Sequence, residues 1–367
     1  MDELGAKVAD AEVQETPRGK IVFASRAPLP ALLTLRTVDN LYALIGRFRV
    51  GPHRAHLPDI RDAVAALDLE PALARLGTDT GTGSGAGRRT ATGAARYSFL
   101  VNASRSGRHT YSRFEVAEAA TQGILARHPT WRSGTTHEHQ LEFRLDVADE
   151  LADFALRLTP PTFRFRGHER HFTAASLRPP VAHALVWLSQ PAPGDRFLDP
   201  FCGSGTILGE RLVYPARRLV GGDRSAAALA AARANLPPAP HLTLARWDAR
   251  RLPLGTGVVD KLVSNLPFGH QILSPAEIGG LYRDFVAEVG RILAPGGQAV
   301  VLTDQVPLLL DAADAAGLGH EAGLTLSLKG LHPQVLRLLH KPPPSSRNSS
   351  PSPQGERGLG GVGKRRS

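Results

Sequence analysis

Four short apolar runs in the second half of the chain each lead into a polar residue, and this recurrence constrains the fold more than any other feature. Arg196-Phe-Leu198 precedes Asp199, Leu219-Val-Gly-Gly222 precedes Asp223, Leu242-Thr-Leu-Ala-Arg-Trp247 precedes Asp248, and Lys261-Leu-Val263 is followed closely by Asn265. Gln298-Ala-Val-Val-Leu302 is a further run of strand length. Runs this short, each beside a turn signal or a helical pattern, predict alternating β and α units around a mostly parallel sheet. Asp199 then sits at a strand end, and the segment from Thr206 to Tyr214 reads as the first turns of a helix.

The segment between strand and helix is Asp199, Pro200, Phe201, Cys202, Gly203, Ser204, Gly205 and Thr206. Gly203 and Gly205 let the backbone approach a ligand closely. The spacing is not the Gly-x-Gly-x-x-Gly of dinucleotide sites, and it lacks the Lys-Ser/Thr of a P-loop, so phosphate is not the expected guest. Asp223 stands where doubly wound folds place an acid for ribose hydroxyls, and a carboxylate at Asp248 can accept from an adenine amino group. A lone Asp at a strand end is more often a cap or turn residue; the joint spacing favours a nucleoside site. Cys202 reads as a small buried residue of a tight loop.

Asn265, Leu266, Pro267, Phe268 and Gly269 read as a site for methylating an exocyclic amine. Such a nitrogen has its lone pair delocalised into a ring, so the protein must hold the amine in line with an activated methyl group. The Asn265 side-chain oxygen and the Leu266 carbonyl can both accept from an NH2, Pro267 stiffens the turn, and Phe268 offers a face for stacking. The familiar form of the signature has proline where this chain has Leu266. A metal is not required.

With 367 residues, 42% of them hydrophobic, the chain is expected to form two or more domains with sizeable cores. The single cysteine excludes a disulfide framework and a Cys-rich zinc site. No signal pattern or membrane-length apolar run is apparent, making the cytoplasm the default. Half of the net charge of +10 lies in residues 341–367, a Pro/Gly/Ser/Arg tail expected to be disordered. No acid occurs between Asp79 and Glu115, a stretch containing Arg88, Arg89, Arg96, Arg105, Arg108 and Arg113, the candidate phosphate-contacting face. An ordinary solvated face is the plainer reading. Residues 77–96 read as a flexible linker.

In the first half, Ile21-Val-Phe23 predicts a strand, and residues 31–48 carry leucines and an isoleucine near helical spacing, interrupted at Asp39-Asn40. Residues 97–101 alternate like a strand, 102–109 read as a polar turn, 116–127 as a helix, and 141–145 and 155–158 as strands, together a compact α+β module.

The order Asp199, Asp223, Asp248, Asn265, with Ala294-Pro-Gly-Gly297 before a strand, resembles the class I S-adenosylmethionine-dependent methyltransferases. Phe99-Leu-Val-Asn-Ala-Ser-Arg-Ser-Gly-Arg-His109, with Phe114-Glu115 and the helix after it, resembles the THUMP RNA-binding module, and the stretch from Leu33 to Phe48 resembles the ferredoxin-like domain that precedes it. Residues 163–170 and 176–182 resemble the linker and the start of the cofactor domain. Over about residues 20–340 the chain resembles the THUMP-containing RNA guanine-N2 methyltransferases, most of all the branch acting on guanosine 6 of the tRNA acceptor stem.

That resemblance implies an α/β fold in which a Rossmann-like methyltransferase domain, with a mostly parallel sheet and an antiparallel final strand, follows two α+β domains. The implied division is 1–19 N-terminus, 20–76 ferredoxin-like, 77–96 linker, 97–160 THUMP, 161–178 linker, 179–340 methyltransferase and 341–367 tail. It implies S-adenosyl-L-methionine as cofactor, with Asp199 to Thr206 at its methionine end, Asp223 at its ribose, Asp248 at its adenine, Arg224, Ala249 and Asn265 also among its contacts, and Ser176 closing over it. Asn265 to Phe268 would take the target base, and Arg166 and Arg170 would join the other arginines on RNA. A monomer acting on tRNA, without metal or membrane, is the expectation. An rRNA guanine methyltransferase, an amine methyltransferase on DNA adenine or protein glutamine, and a non-catalytic RNA-binding protein remain open.

Overall fold

A computed structural model describes residues 2–17, 19–77, 97–166, 176–269, 275–328 and 330–340. The expected linker beyond Gly77, the C-terminal tail, and Arg88, Arg89, Arg96 and Arg170 lie outside the described residues.

The first half contains α1 (Asp2–Lys7), β1 (Glu12–Glu15), β2 (Val22–Ala24), α2 (Leu29–Leu32), β3 (Tyr42–Arg49), α3 (Leu57–Ala66), α4 (Glu70–Gly77), β4 (Ser98–Ser106), α5 (Arg113–Arg127), β5 (Arg132–Ser133), β6 (Leu141–Ala148) and β7 (Leu151–Arg157). β1 and β2 form a hairpin, and the remaining strands form one sheet in the order β3-β7-β6-β4-β5. Alternation along β6 sends Leu141, Phe143, Leu145 and Val147 into a core closed by Ile60 and Val64 of α3 and by Val116, Ala120 and Ile124 of α5.

Two expectations change here. Residues 42–49 are a strand, not the second part of a helix, because β3 carries a bulge between Leu44 and Gly46 that inserts a residue into the two-residue period and imitates helical spacing. β4 continues to Ser106 through the expected polar turn, with its ladder to β6 intact from Phe99 to Ser106. β3, from the stretch expected at 20–76, pairs with β7, from the stretch expected at 97–160, and the two stretches share the core around Ile60, Phe99 and Phe154, while Leu29, Leu32, Leu35 and Leu41 pack with Leu4, Val8 and Leu158 in a second core.

The second half contains α6 (Pro179–Leu188), β8 (Arg196–Asp199), α7 (Thr206–Arg211), β9 (Arg218–Asp223), α8 (Ala226–Asn235), β10 (Leu242–Arg246), β11 (Val259–Asn265), α9 (Pro275–Ile292), β12 (Leu293–Thr303), α10 (Val306–Ala315), β13 (Gly319–Thr325) and β14 (Gln334–Leu339). Its sheet runs β10-β9-β8-β11-β12-β14-β13, parallel from β10 to β12, with β14 antiparallel to both neighbours. Alternate residues serve opposite cores: Phe197, Val263, Val300 and Leu302 meet α6, α7 and α8, while Leu198, Leu262, Ala299 and Val301 meet α9 and α10. Burial on both faces explains why these strands read as continuous apolar runs. The strand order reverses between β8 and β11, which opens a crevice at their carboxyl ends. No described helix is long and apolar enough to cross a membrane.

Candidate active site

Asp199 and Asn265 end the two strands that flank the reversal point. Ser264 Oγ donates to Asp199 Oδ1 at 2.8 Å and ties the two strand ends together. The Phe201 amide donates to the same oxygen at 3.3 Å, while Asp199 Oδ2 is buried and has no hydrogen-bond partner among the described residues. Burial, reinforced by the charge of Asp223, pushes the Asp199 carboxyl up to about 7 against the hydrogen bonds from Ser264 and Phe201. A buried carboxylate oxygen with no partner suits a cationic ligand group.

The loop after Asp199 is fixed by its neighbours. The Cys202 amide donates to Gly222 O at 2.9 Å, Trp247 Nε1 to Pro200 O at 3.3 Å, and the Gly203 amide to Asp223 Oδ2 at 3.0 Å. Phe201 packs edge-on against Phe285, with ring centroids 5.0 Å apart. Gly203 and Gly205 both have positive φ, 52° and 81°, which glycine adopts without strain. Trp247 comes so close that a Cβ on Gly222 would overlap its indole. Ser204 Oγ lies 2.8 Å from Ser176 Oγ, which brings Ser176 to the loop, and Thr206 begins α7 directly after Gly205. Burial pushes the Cys202 thiol far above its ordinary range, as a packing residue requires.

Asp223 also receives the Ser225 amide, at 2.8 Å, so its two carboxylate oxygens tie the glycine loop to the start of the segment after β9. Arg224 is exposed, with its carbonyl accepting from Arg246 Nε at 3.0 Å. Asp248 is held by the Arg250 guanidinium, at 3.1 Å from Oδ1 and 2.6 Å from Oδ2, and this keeps its carboxyl below the usual range. An adenine amine would have to share Asp248 with Arg250. Ala249 beside it is buried.

The Asn265–Gly269 turn is braced by residues that local sequence reasoning missed. The Leu266 amide donates to Leu302 O at 3.0 Å, with the Leu266 side chain buried in the core. Tyr282 of α9 donates its hydroxyl to Pro267 O at 3.0 Å and lies 2.6 Å from Thr303 Oγ1, while Gln305 Nε2 donates to Phe268 O at 3.1 Å. Pro267 and Phe268 stay partly exposed above them. An aromatic amphipathic helix after the turn is the only sequence signal for Tyr282.

The arginines divide. Arg105, Arg108 and Arg113 are exposed on the first half of the molecule. Arg166 is not available to RNA: its side chain is 8% exposed, and Nε lies 3.0 Å from Glu210 Oε1. Glu210 is fully buried on α7 and also receives Arg36 Nε at 2.9 Å and faces His183 Nδ1 at 3.1 Å. His183 Nε2 lies 3.2 Å from Glu3 Oε1 and 3.0 Å from the Tyr214 hydroxyl. The two halves are therefore joined by a buried ionic cluster, with the Arg178–Asp39 pair at 2.9 Å outside it.

Residues 166–333 match the UPF0020 family model, described as RMKL-like, methyltransferase domain. A tRNA (guanine(6)-N2)-methyltransferase of Thermus thermophilus is 31% identical over 249 residues, covering 66% of this chain and 72% of that protein. The tRNA (guanine(6)-N(2))-methyltransferase THUMP3 of Bos taurus is 29% identical over 265 residues; the match covers 66% of this chain but about half, 51%, of the bovine protein. The crystal structure of TrmN from Thermus thermophilus superposes with a TM-score of 0.72 at 26% identity, covering 93% of this chain and 95% of that one.

Proposed function

The chain belongs to the family of THUMP-class tRNA guanine-N2 methyltransferases, and from that membership we propose that it forms N2-methylguanosine in tRNA, at position 6 of the acceptor stem, using S-adenosylmethionine. The observation that carries the reading is the pairing of Asp199 and Asn265 across the reversal point, tied by Ser264. Bound S-adenosylmethionine would supply a methyl group on a sulfonium sulfur.

The residues of the crevice have distinct tasks in this reading. Asp199 Oδ2 would receive the ammonium of the cofactor's methionine portion, and the backbone from Pro200 to Thr206 would shape the surface around it. Asp223 would take ribose hydroxyls; Asp248 and Ala249 would border the adenine. Asn265 Oδ1 and the Leu266 carbonyl accept from the guanine amine and turn its lone pair toward the methyl group. Phe268 stacks on the base. As the N–C bond formed, the sulfur–methyl bond would break with its electron pair left on sulfur as a neutral thioether, and the methylated amine would lose one proton to water.

An amine inside a stem cannot reach strand ends, so the nucleotide swings out at a cost of a few kcal/mol. Residues 20–160, with Arg105, Arg108 and Arg113, grip the RNA and offset that cost.

Incubation with labelled cofactor and bulk unmodified tRNA, followed by nucleoside analysis, should yield N2-methylguanosine. Asn265→Ala should abolish the product while cofactor binding by calorimetry persists. Product from the variant at the wild-type rate would remove Asn265 from the reaction, and an unlabelled tRNA pool, with label appearing once rRNA is offered in its place, would move the substrate.

A further inference from the structure

Phe114, the second residue of α5, is 70% exposed, although the same helix buries Val116, Ala120 and Ile124 in the core. Burying such a ring against a partner would gain roughly 2 to 3 kcal/mol. The Arg113 guanidinium carbon lies 4.8 Å from the ring centroid, within cation–π range.

The surroundings give the partner's chemistry. β3, β4 and β6 end, and β7 begins, on one rim of the five-stranded sheet, since Arg49 pairs with Leu151 and Ser106 with Ala148. The connecting segments are laced together: the Thr110 amide donates to Pro52 O at 2.9 Å, the Arg54 amide to Thr110 Oγ1 at 2.8 Å, and the Tyr111 hydroxyl to Gly51 O at 3.1 Å. Ser112 and Glu115 cap α5 reciprocally, which fixes the first turn and the position of Phe114. Arg49 and Arg54 are 85% and 68% exposed on this rim, and Arg105, Arg108 and Arg113 are exposed as well. The acids present are Glu115, bound to Arg54 at 2.7 Å, Glu150, 3.5 Å from Arg49, and Asp149. One exposed ring with Arg113 against it, on a rim that carries four further exposed arginines, suits a polyanion that also offers flat apolar faces, which describes an unpaired stretch of nucleic acid better than duplex, whose bases stack on one another.

We propose that Phe114, steadied by Arg113, is a stacking platform for an unpaired nucleobase, so that this rim binds a single-stranded segment of the RNA. The inference rests on the RNA reading above and adds to it a binding residue, Phe114.

The test uses the full chain with two fluorescent probes, an unstructured oligoribonucleotide and a blunt RNA duplex with the same number of phosphates. Phe114→Ala should weaken single-strand binding by roughly 5- to 100-fold, leave duplex binding within about twofold, and leave the salt slope on both unchanged. Phe114→Tyr should retain wild-type affinity. Equal losses on both probes, no loss on either, or a wild-type chain that binds neither would overturn the platform. Phe114-dependent binding by a chain that makes no methylguanosine would instead sink the methylation reading and leave the platform standing.

Discussion

Asp199 combines in one side chain the strain and the purpose of the crevice. Its carboxyl titrates near 7 because burial opposes its charge, against an ordinary value near 3.8. Between those values the folded chain holds a proton that the unfolded chain has released, so folding stability falls as pH rises through that window. A cationic ligand group beside Oδ2 reverses the preference. Cofactor binding should therefore release a proton and tighten as pH rises towards about 7, which calorimetry in buffers of different ionisation enthalpy can measure. In Asp199→Asn the proton release should vanish and the dissociation constant rise about tenfold or more. Binding that is pH-independent in the wild type would show that Asp199 does not face the ligand's charge. Tyr282 permits a complementary test. Tyr282→Phe removes the hydroxyl from Pro267 O and Thr303 Oγ1, and should lower turnover about tenfold without altering cofactor affinity. The places of Asp199, Asp223 and Asn265 at strand ends were legible in the sequence because each follows closely on a short apolar run. Tyr282, Gln305 and Trp247 were not, because their contacts with the loops are made only after distant segments pack.

Among the elements, those of the parallel sheet were the most legible. Phe197, Leu198, Leu262, Val263 and the run from Ala299 to Leu302 are buried on both faces, and such runs cannot be mistaken for exposed helix surfaces. β3 was illegible for a local reason. Its bulge at Leu44 to Gly46 shifts the inward set by one position, and propensity reasoning sees only the distorted spacing. Gly46 shows how tightly the bulge is packed, since a Cβ there would run into the Leu67 side chain. Gly46→Ala should lower stability by about 1 to 3 kcal/mol, visible as a reduced melting temperature, whereas Leu44→Ala at an exposed position of the same strand should change it little. Similar melting temperatures for the two variants would mean that the bulge yields freely.

The whole molecule is governed by a contact that no reading of adjacent residues reveals, because Arg36 and Glu210 are 174 residues apart. Burial alone would raise the Glu210 carboxyl, but hydrogen bonds from His183 and Arg36 and the charges of Arg36 and Arg166 hold it at about 2. A depressed carboxyl stabilises the fold above its ordinary value near 4.5 and loses that contribution as pH falls towards 2. The joint between the halves should accordingly weaken below about pH 4.5, measurable as a change in the distance between spin labels placed on exposed Arg49→Cys and Arg233→Cys. Cys202 is buried and will not compete for the labels. Glu210→Gln should bring the same loosening to neutral pH, at a cost of about 3 to 5 kcal/mol for a broken buried pair; an unaltered distance distribution would mean the halves are held by something else.

α7 is only six residues long, yet one end follows directly on Gly205 and the other carries Glu210. Heat should therefore melt both halves in a single calorimetric peak, and a nucleoside ligand bound at the glycines should raise the temperature of that whole peak. Once Glu210 is neutralised, the peak should split in two, with the ligand lifting only the component that contains β8.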